Sequence, residues 1–127
     1  MSDEIAYMTA LEVRAAIAAK DLSPVEAAEA YLERIGQVDG RLNSYITVCR
    51  EEALQAAREA ERAIGAGRHL GPMHGIPVAV KDQFNTAGIR TTGGSTILAD
   101  FVPTEDSTVV ANLKRAGAVL LGKTNLT

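Results

Sequence analysis

The sequence predicts an α/β fold in which an amino-terminal helix pair precedes βαβ units of a largely parallel or mixed sheet. Three observations predict it. Two helix-capping signals open the chain, at Thr9-Ala10-Leu11-Glu12 and Ser23-Pro24-Val25-Glu26. Short apolar runs follow at Tyr45-Ile46-Thr47-Val48, Ile76 to Lys81 and Ala118 to Leu121, each too short for a helix. Stretches of helical period separate them, and strand, helix, strand, helix, strand in that order calls for crossover connections.

Each element has a local cause. Thr9 offers a hydroxyl to an orphan amide and Glu12 reaches back, so a first helix is expected from Ala10 to Lys20 with Leu11 and Ile17 inward. Pro24 suits the first position of a second helix because it lacks only an amide hydrogen that would be unpaired there. Val25, Ala28, Leu32 and Ile35 form its inner stripe, and Gly40 is read as its end. Leu42 to Val48 is expected to form the first strand, and the alanine-rich run from Glu51 to Ile64 a third helix stopped by Gly65 and Gly67.

Ile76 to Lys81 reads as a strand buried on both faces, with Pro77 near its start because proline cannot donate to a ladder. Asp82 to Pro103 has no steady period and reads as a long surface excursion, of a length that tends to be functional. Asp106 or Ser107 can cap a fourth helix with Val109, Val110 and Leu113 inward, Gly117 follows its last turn, and Ala118 to Leu121 is the last strand. Residues 1–127 thus read as one domain, 1–40 a helical pair and 41–127 a strand and helix core.

Composition narrows the function. A chain of 127 residues, 46% hydrophobic and 23% charged, can bury one core. A net charge of -3 leaves no basic footprint for nucleic acid, so no direct nucleic-acid partner is expected. No apolar run reaches membrane-spanning length and Met1-Ser2-Asp3-Glu4 is acidic where a signal peptide is basic, so a cytoplasmic protein is expected. Cys49 stands alone, and with no Cys/His cluster neither a disulfide, a metal nor a cofactor is expected.

The residue with the most chemistry to offer is Lys81, at the carboxyl end of an apolar strand. Near low-dielectric packing an ammonium loses hydration, its neutral form gains, and the amine can serve as a base. The plainer alternative is a side chain with its stem on the sheet and its head in water. Asp82 should point away from Lys81 if the strand continues, and would then shape the turn. His69 and His74 have no partner at recognisable spacing and read as loop residues, Cys49 as a small buried hydrophobe, and Ser95 after Gly93-Gly94 as a turn serine. Gly117 to Thr124 satisfies G-x-x-x-x-G-K-[ST], yet Ala-Val-Leu-Leu between the glycines is strand composition, without the curl that surrounds a phosphate.

The string Gly71-Pro72-Met73-His74-Gly75-Ile76-Pro77-Val78-Ala79-Val80-Lys81-Asp82 resembles the lysine-bearing motif of the amidase signature family. The similarity continues through Gly88-Ile89-Arg90-Thr91-Thr92, Asp106-Ser107-Thr108-Val109-Val110 and Ala116 to Asn125, and so covers nearly the whole chain. The resemblance implies part of a larger amidase signature fold and hydrolysis of carboxylic amides through a Ser, cis-Ser, Lys triad, with Lys81 the general base and a small amide the substrate. Lysine at the carboxyl end of a parallel strand also agrees with where α/β sites gather.

The glycine and serine rich segment that supplies both serines in that family does not occur in these residues. An incomplete domain, the amino-terminal portion of an amidase and inactive by itself, is therefore expected. Its last strand would present an edge open to a homodimer or other association. A fragment of a glutamyl-tRNA amidotransferase A-type chain is the nearest alternative to a general amidase. A non-catalytic scaffold or binding module, and a phosphate binder using Gly117 to Thr124, complete the alternatives.

Overall fold

The structure, a computed structural model, describes residues 2–68 and 71–126. Both amino-terminal caps form as the sequence requires. Helix α1 spans Ser2–Ala6 and was not foreseen. Helix α2 spans Ala10–Ala18 behind Thr9, whose Oγ1 accepts from the Glu12 amide at 3.1 Å while the Glu12 carboxylate accepts from the Thr9 amide at 2.7 Å. Helix α3 spans Pro24–Leu42, and Ser23 Oγ accepts from the Val25 amide at 3.0 Å. It runs through Gly40, which an interior turn tolerates, and stops where Asn43 turns left-handed at φ 54°. The Asp39 carboxylate then accepts from the Ser44 amide at 2.8 Å and turns the chain into the first strand.

Helix α3 divides the core. Ala27 and Ala30 pack with Ile5, Val13, Ile17 and Leu22 on one side. Ala28 and Leu32 pack with Ala53, Ala57, Val119 and Leu121 on the other. Alanine on the crossing faces lets backbones approach closely. Ile17 is inward as expected, but Leu11 is 75% exposed and Val13 takes its place. Val13 and Ile17 are one turn apart, whereas Leu11 lies about 200° round the helix from Val13 at 100° per residue.

The strands are β1 Tyr45–Val48, β2 Pro77–Lys81 and β3 Val119–Thr124. Helix α4, Arg50–Gly65, follows β1, and helix α5, Thr108–Arg115, precedes β3. The sheet order is β1-β3-β2, with β3 parallel to β2 and antiparallel to β1. The sheet is mixed, and β3, expected to carry the open edge, is the central strand. Its N–H and C=O groups are shared between two neighbours, so the edges belong to β1 and β2. Because β3 is extended from Val119 to Thr124, the phosphate-loop pattern makes no cradle, and the phosphate-binding alternative has no structural basis here.

Strand β2 departs from the expected burial on both faces. Val80 is buried, but Ala79 and Lys81 are exposed. The register sets Ala79 beside Gly122 and Lys81 beside Thr124, and no described layer covers that side of β2. Helix α5 starts behind Ser107, whose Oγ accepts from the Val110 amide at 3.3 Å, and turns Val110 inward while Val109 stays 44% exposed. Gly117 ends it at φ 92°.

Gly122 lies where the strands meet most closely: a Cβ there would fall 2.5 Å from the Thr47 carbonyl oxygen and 2.8 Å from the Tyr45 ring. Gly122→Ala is therefore expected to destabilise the fold by about 1–3 kcal/mol through overpacking, read as a lower urea midpoint at unchanged m-value.

Candidate functional site

Lys81 is the last residue of β2 and its side chain is exposed. The shielding expected of it is not supplied by the described residues. The backbone around it is nevertheless tightly held. The Phe84 amide donates to the Lys81 carbonyl at 3.1 Å, closing a turn, and the Asp82 amide donates to the Thr124 carbonyl at 2.9 Å, extending the pairing with β3 by one residue.

Asp82 turns away from Lys81 and is fully buried. Its Oδ2 accepts from the Thr92 amide at 2.9 Å and the Thr92 hydroxyl at 2.5 Å, and its carbonyl accepts from the Gly93 amide at 2.8 Å. Its Oδ1 lies 3.4 Å from Lys123 Nζ, close enough for an ion pair but without the alignment of a hydrogen bond, and has no hydrogen-bond partner. The sequence reading that Asp82 shapes the turn is met, and the partner it uses is the residue that reading passed over.

Lys123 is fully buried in the middle strand. Nζ donates to the Phe84 carbonyl at 2.9 Å and to the Thr91 hydroxyl at 2.8 Å, and Thr91 donates onward to the Ile89 carbonyl at 3.0 Å. Burial pushes the Lys123 ammonium below the ordinary lysine range, and Asp82 opposes that shift. Here is the desolvated lysine that the sequence led us to seek at Lys81. Its three donor directions face a carbonyl, a hydroxyl and a carboxylate, all of them acceptors, which is a site built to keep the amine charged. The segment from Asp82 to Pro103 is correspondingly no plain surface excursion: Thr86, Ile89, Thr91 and Thr92 are buried beneath it.

The signal for Lys123 was present in the alternation of Val119, Leu121 and Lys123, which places a lysine at the third inward position of an apolar strand. The other candidates fall outside any reactive constellation. His74 is 2% exposed and its Nε2 lies 2.9 Å from the Ala60 carbonyl, a packing role. His69 lies outside the described residues. Ser95 caps the short 3-10 helix Thr96–Leu98 by accepting from the Ile97 amide at 3.2 Å. Cys49 is buried, and burial pushes its thiol up to about 11, far from a thiolate at neutral pH. Among the described residues no group of three His, Cys, Asp or Glu side chains could hold a metal ion, and no helix is long and apolar enough to cross a membrane.

A mixed sheet backed by helices, with a lysine closing an outer parallel strand and a buried ion pair holding the turn behind it, places the chain in the α/β class and its site at a strand's carboxyl end. Residues 26–127 match the family model described as Amidase, and the chain belongs to that family. It is 49% identical over 123 residues to the GatA-type chain of glutamyl-tRNA(Gln) amidotransferase from Carboxydothermus hydrogenoformans, covering 97% of this chain and 25% of that relative. The corresponding amidotransferase chain from Geobacter metallireducens is 53% identical over 122 residues, with 96% and 25% covered. Among solved structures, the native peptide amidase from Stenotrophomonas maltophilia superposes with a TM-score of 0.90 at 40% identity, over 95% of this chain and 25% of that one. A fatty acid amide hydrolase superposes with a TM-score of 0.93 at 28% identity, over 99% and 22%. The chain thus spans about a quarter of the length of the curated relatives it matches.

Two measurements check these environments. Lys123→Met leaves the Asp82 carboxylate buried without its counter-charge and is expected to cost about 3–5 kcal/mol in urea unfolding, most of it recovered when Asp82→Asn is added. The raised Cys49 pKa means that the unfolded thiol ionises from about 9.0 while the folded one waits until about 11, so its stabilising contribution is complete below that window and is lost as pH rises through it. Iodoacetamide at pH 7.5 is expected to label Cys49 only after unfolding, and Cys49→Ala to flatten the loss of stability between pH 9 and 11.

Proposed function

We propose that this chain is the lysine-bearing part of an amidase that hydrolyses a carboxylic amide to acid and ammonia, with Lys81 as the general base of a Ser, cis-Ser, Lys triad. The observation that carries the reading is Lys81 itself: it stands in the motif Gly-Ile-Pro-Val-Ala-Val-Lys-Asp, at the carboxyl end of a parallel strand, on a side of β2 that no described layer covers. An uncovered lysine is solvated and charged. The base function requires that other residues of the protein cover this side of β2, bring a serine within hydrogen-bond reach of Nζ and exclude water, so that the neutral amine can take the nucleophile's proton through the bridging serine.

In that mechanism the activated serine attacks the amide carbonyl, ammonia leaves with the proton returned to it, and water resolves the acyl-enzyme. None of the serines in this sequence lies in a glycine and serine rich segment, so the 127-residue chain alone is expected to turn over no amide. A small amide is the proposed partner of the site, and a cytoplasmic location fits a lone buried cysteine.

A second reading has its own support. The curated relatives at 49% and 53% identity are chains of glutamyl-tRNA(Gln) amidotransferase, above the 40% of the peptide amidase. On that reading the same base serves glutaminase chemistry, and the ammonia is passed to a misacylated tRNA with the help of companion chains. Glutamine hydrolysis that rises on adding those companions favours the transferase, and hydrolysis of simple amides without them favours the free-standing amidase.

In the full-length gene product, Lys81→Ala is expected to lower kcat for amide hydrolysis by about 10²–10⁴-fold, with the melting temperature unchanged because the side chain is exposed here. Parent-level turnover in that variant would remove Lys81 from the reaction.

A further inference from the structure

We infer that Lys123, acting through the turn that follows β2, is a positioning residue for Lys81. The inference deepens the reading of Lys81 as the base and rests on it. The geometry is a relay of fixed contacts. Lys123 Nζ donates to the Phe84 carbonyl at 2.9 Å, and the amide of the same Phe84 donates to the Lys81 carbonyl at 3.1 Å. Residue 84 therefore joins the buried ammonium to the backbone that carries the reactive lysine.

Asp82 supplies the second arm. It follows Lys81 directly, its amide is tied to Thr124 at 2.9 Å, and its carboxylate is gripped by Thr92 and faces Lys123 at 3.4 Å. Strand alternation turns Asp82 inward and Lys81 outward, so anchoring one fixes the direction from which the other leaves the chain. Thr91 closes the cage, accepting from Lys123 at 2.8 Å while its own amide donates to the Phe101 carbonyl at 2.9 Å.

A purely stabilising role does not need this arrangement. A buried ion pair of this kind adds little net stability over an apolar replacement, because desolvation offsets the attraction. What it supplies that a packed methionine cannot is direction: donors at set angles to Phe84, Thr91 and Asp82, which hold the turn in one conformation. A base must lie within a few tenths of an ångström of its proton, and a displacement of about 1 Å from a distant change can cost about 10²-fold in rate.

The test compares four variants of the full-length gene product in amide hydrolysis, with kcat expressed per folded enzyme. Lys81→Ala reports on the base reading. The neutral double variant Lys123→Met with Asp82→Asn leaves no buried charge unpaired. It is expected to melt close to the parent yet lose about 10²-fold in kcat at a KM within about twofold. Thr91→Val removes one acceptor of Lys123 at constant shape and is expected to slow kcat by about tenfold, with Thr91→Ser restoring it. Parent kcat in the double variant overturns the inference while leaving the base reading intact. Parent kcat in Lys81→Ala overturns both. Should the double variant fail to fold, the threonine pair decides: a slow Thr91→Val rescued by serine supports positioning, and unchanged kcat in Thr91→Val sinks it.

Discussion

The buried pair of Asp82 and Lys123 is the constraint on which the carboxyl end of the sheet depends. Two fully buried charges 3.4 Å apart are costly to desolvate, and they persist because nearly every polar direction around them is used. Thr92 occupies one carboxylate oxygen, and Phe84 and Thr91 occupy the ammonium. Only Asp82 Oδ1 relies on the ion pair alone. The pair converts an irregular segment of more than twenty residues into a folded flap, because loops without regular structure need side-chain partners for their buried backbone.

Around that pair the packing is economical. Helix α3 serves two cores through alternate alanines, and α4 presents Ala53, Ala57, Ala60 and Ala63 inward, so helices and sheet approach with little side chain between them. The same closeness appears in the sheet, where Gly122 leaves room for the Thr47 backbone and the Tyr45 ring. A rigid sheet with β3 at its centre then fixes Lys81 against Thr124, and the remaining freedom of that lysine lies in its side chain. The uncovered side of β2 makes physical sense in a chain that spans about a quarter of its relatives' length.

Much of this was legible locally. Capping boxes at Thr9 and Ser23, proline at a first helical position, the alanine stripe of α4 and the glycine stop at Gly117 are short-range signals with short-range causes, and each formed where it was read. The errors came where the cause was distant. Gly40 looked like a stop, but the Asp39 carboxylate and Asn43 set the end. Leu11 looked inward until the phase of Val13 and Ile17 against α3 was known. The site divided in the same way: the motif singled out Lys81, while Lys123 passed as part of a nucleotide pattern because its acceptors, at positions 82, 84 and 91, are 32 to 41 residues away in sequence.

The sequence by itself determined the class of the fold, the family resemblance and the lysine that ends β2, since these are written in contiguous motifs and periodicities. Tertiary structure alone decided that β3 is central, that β1 runs antiparallel to it, and that the desolvated lysine is Lys123 and not Lys81. The physical reason is range. Hydrogen bonds within a turn or helix depend on neighbours a few residues apart, whereas strand order and the burial of a charge depend on which distant segments finally pack together.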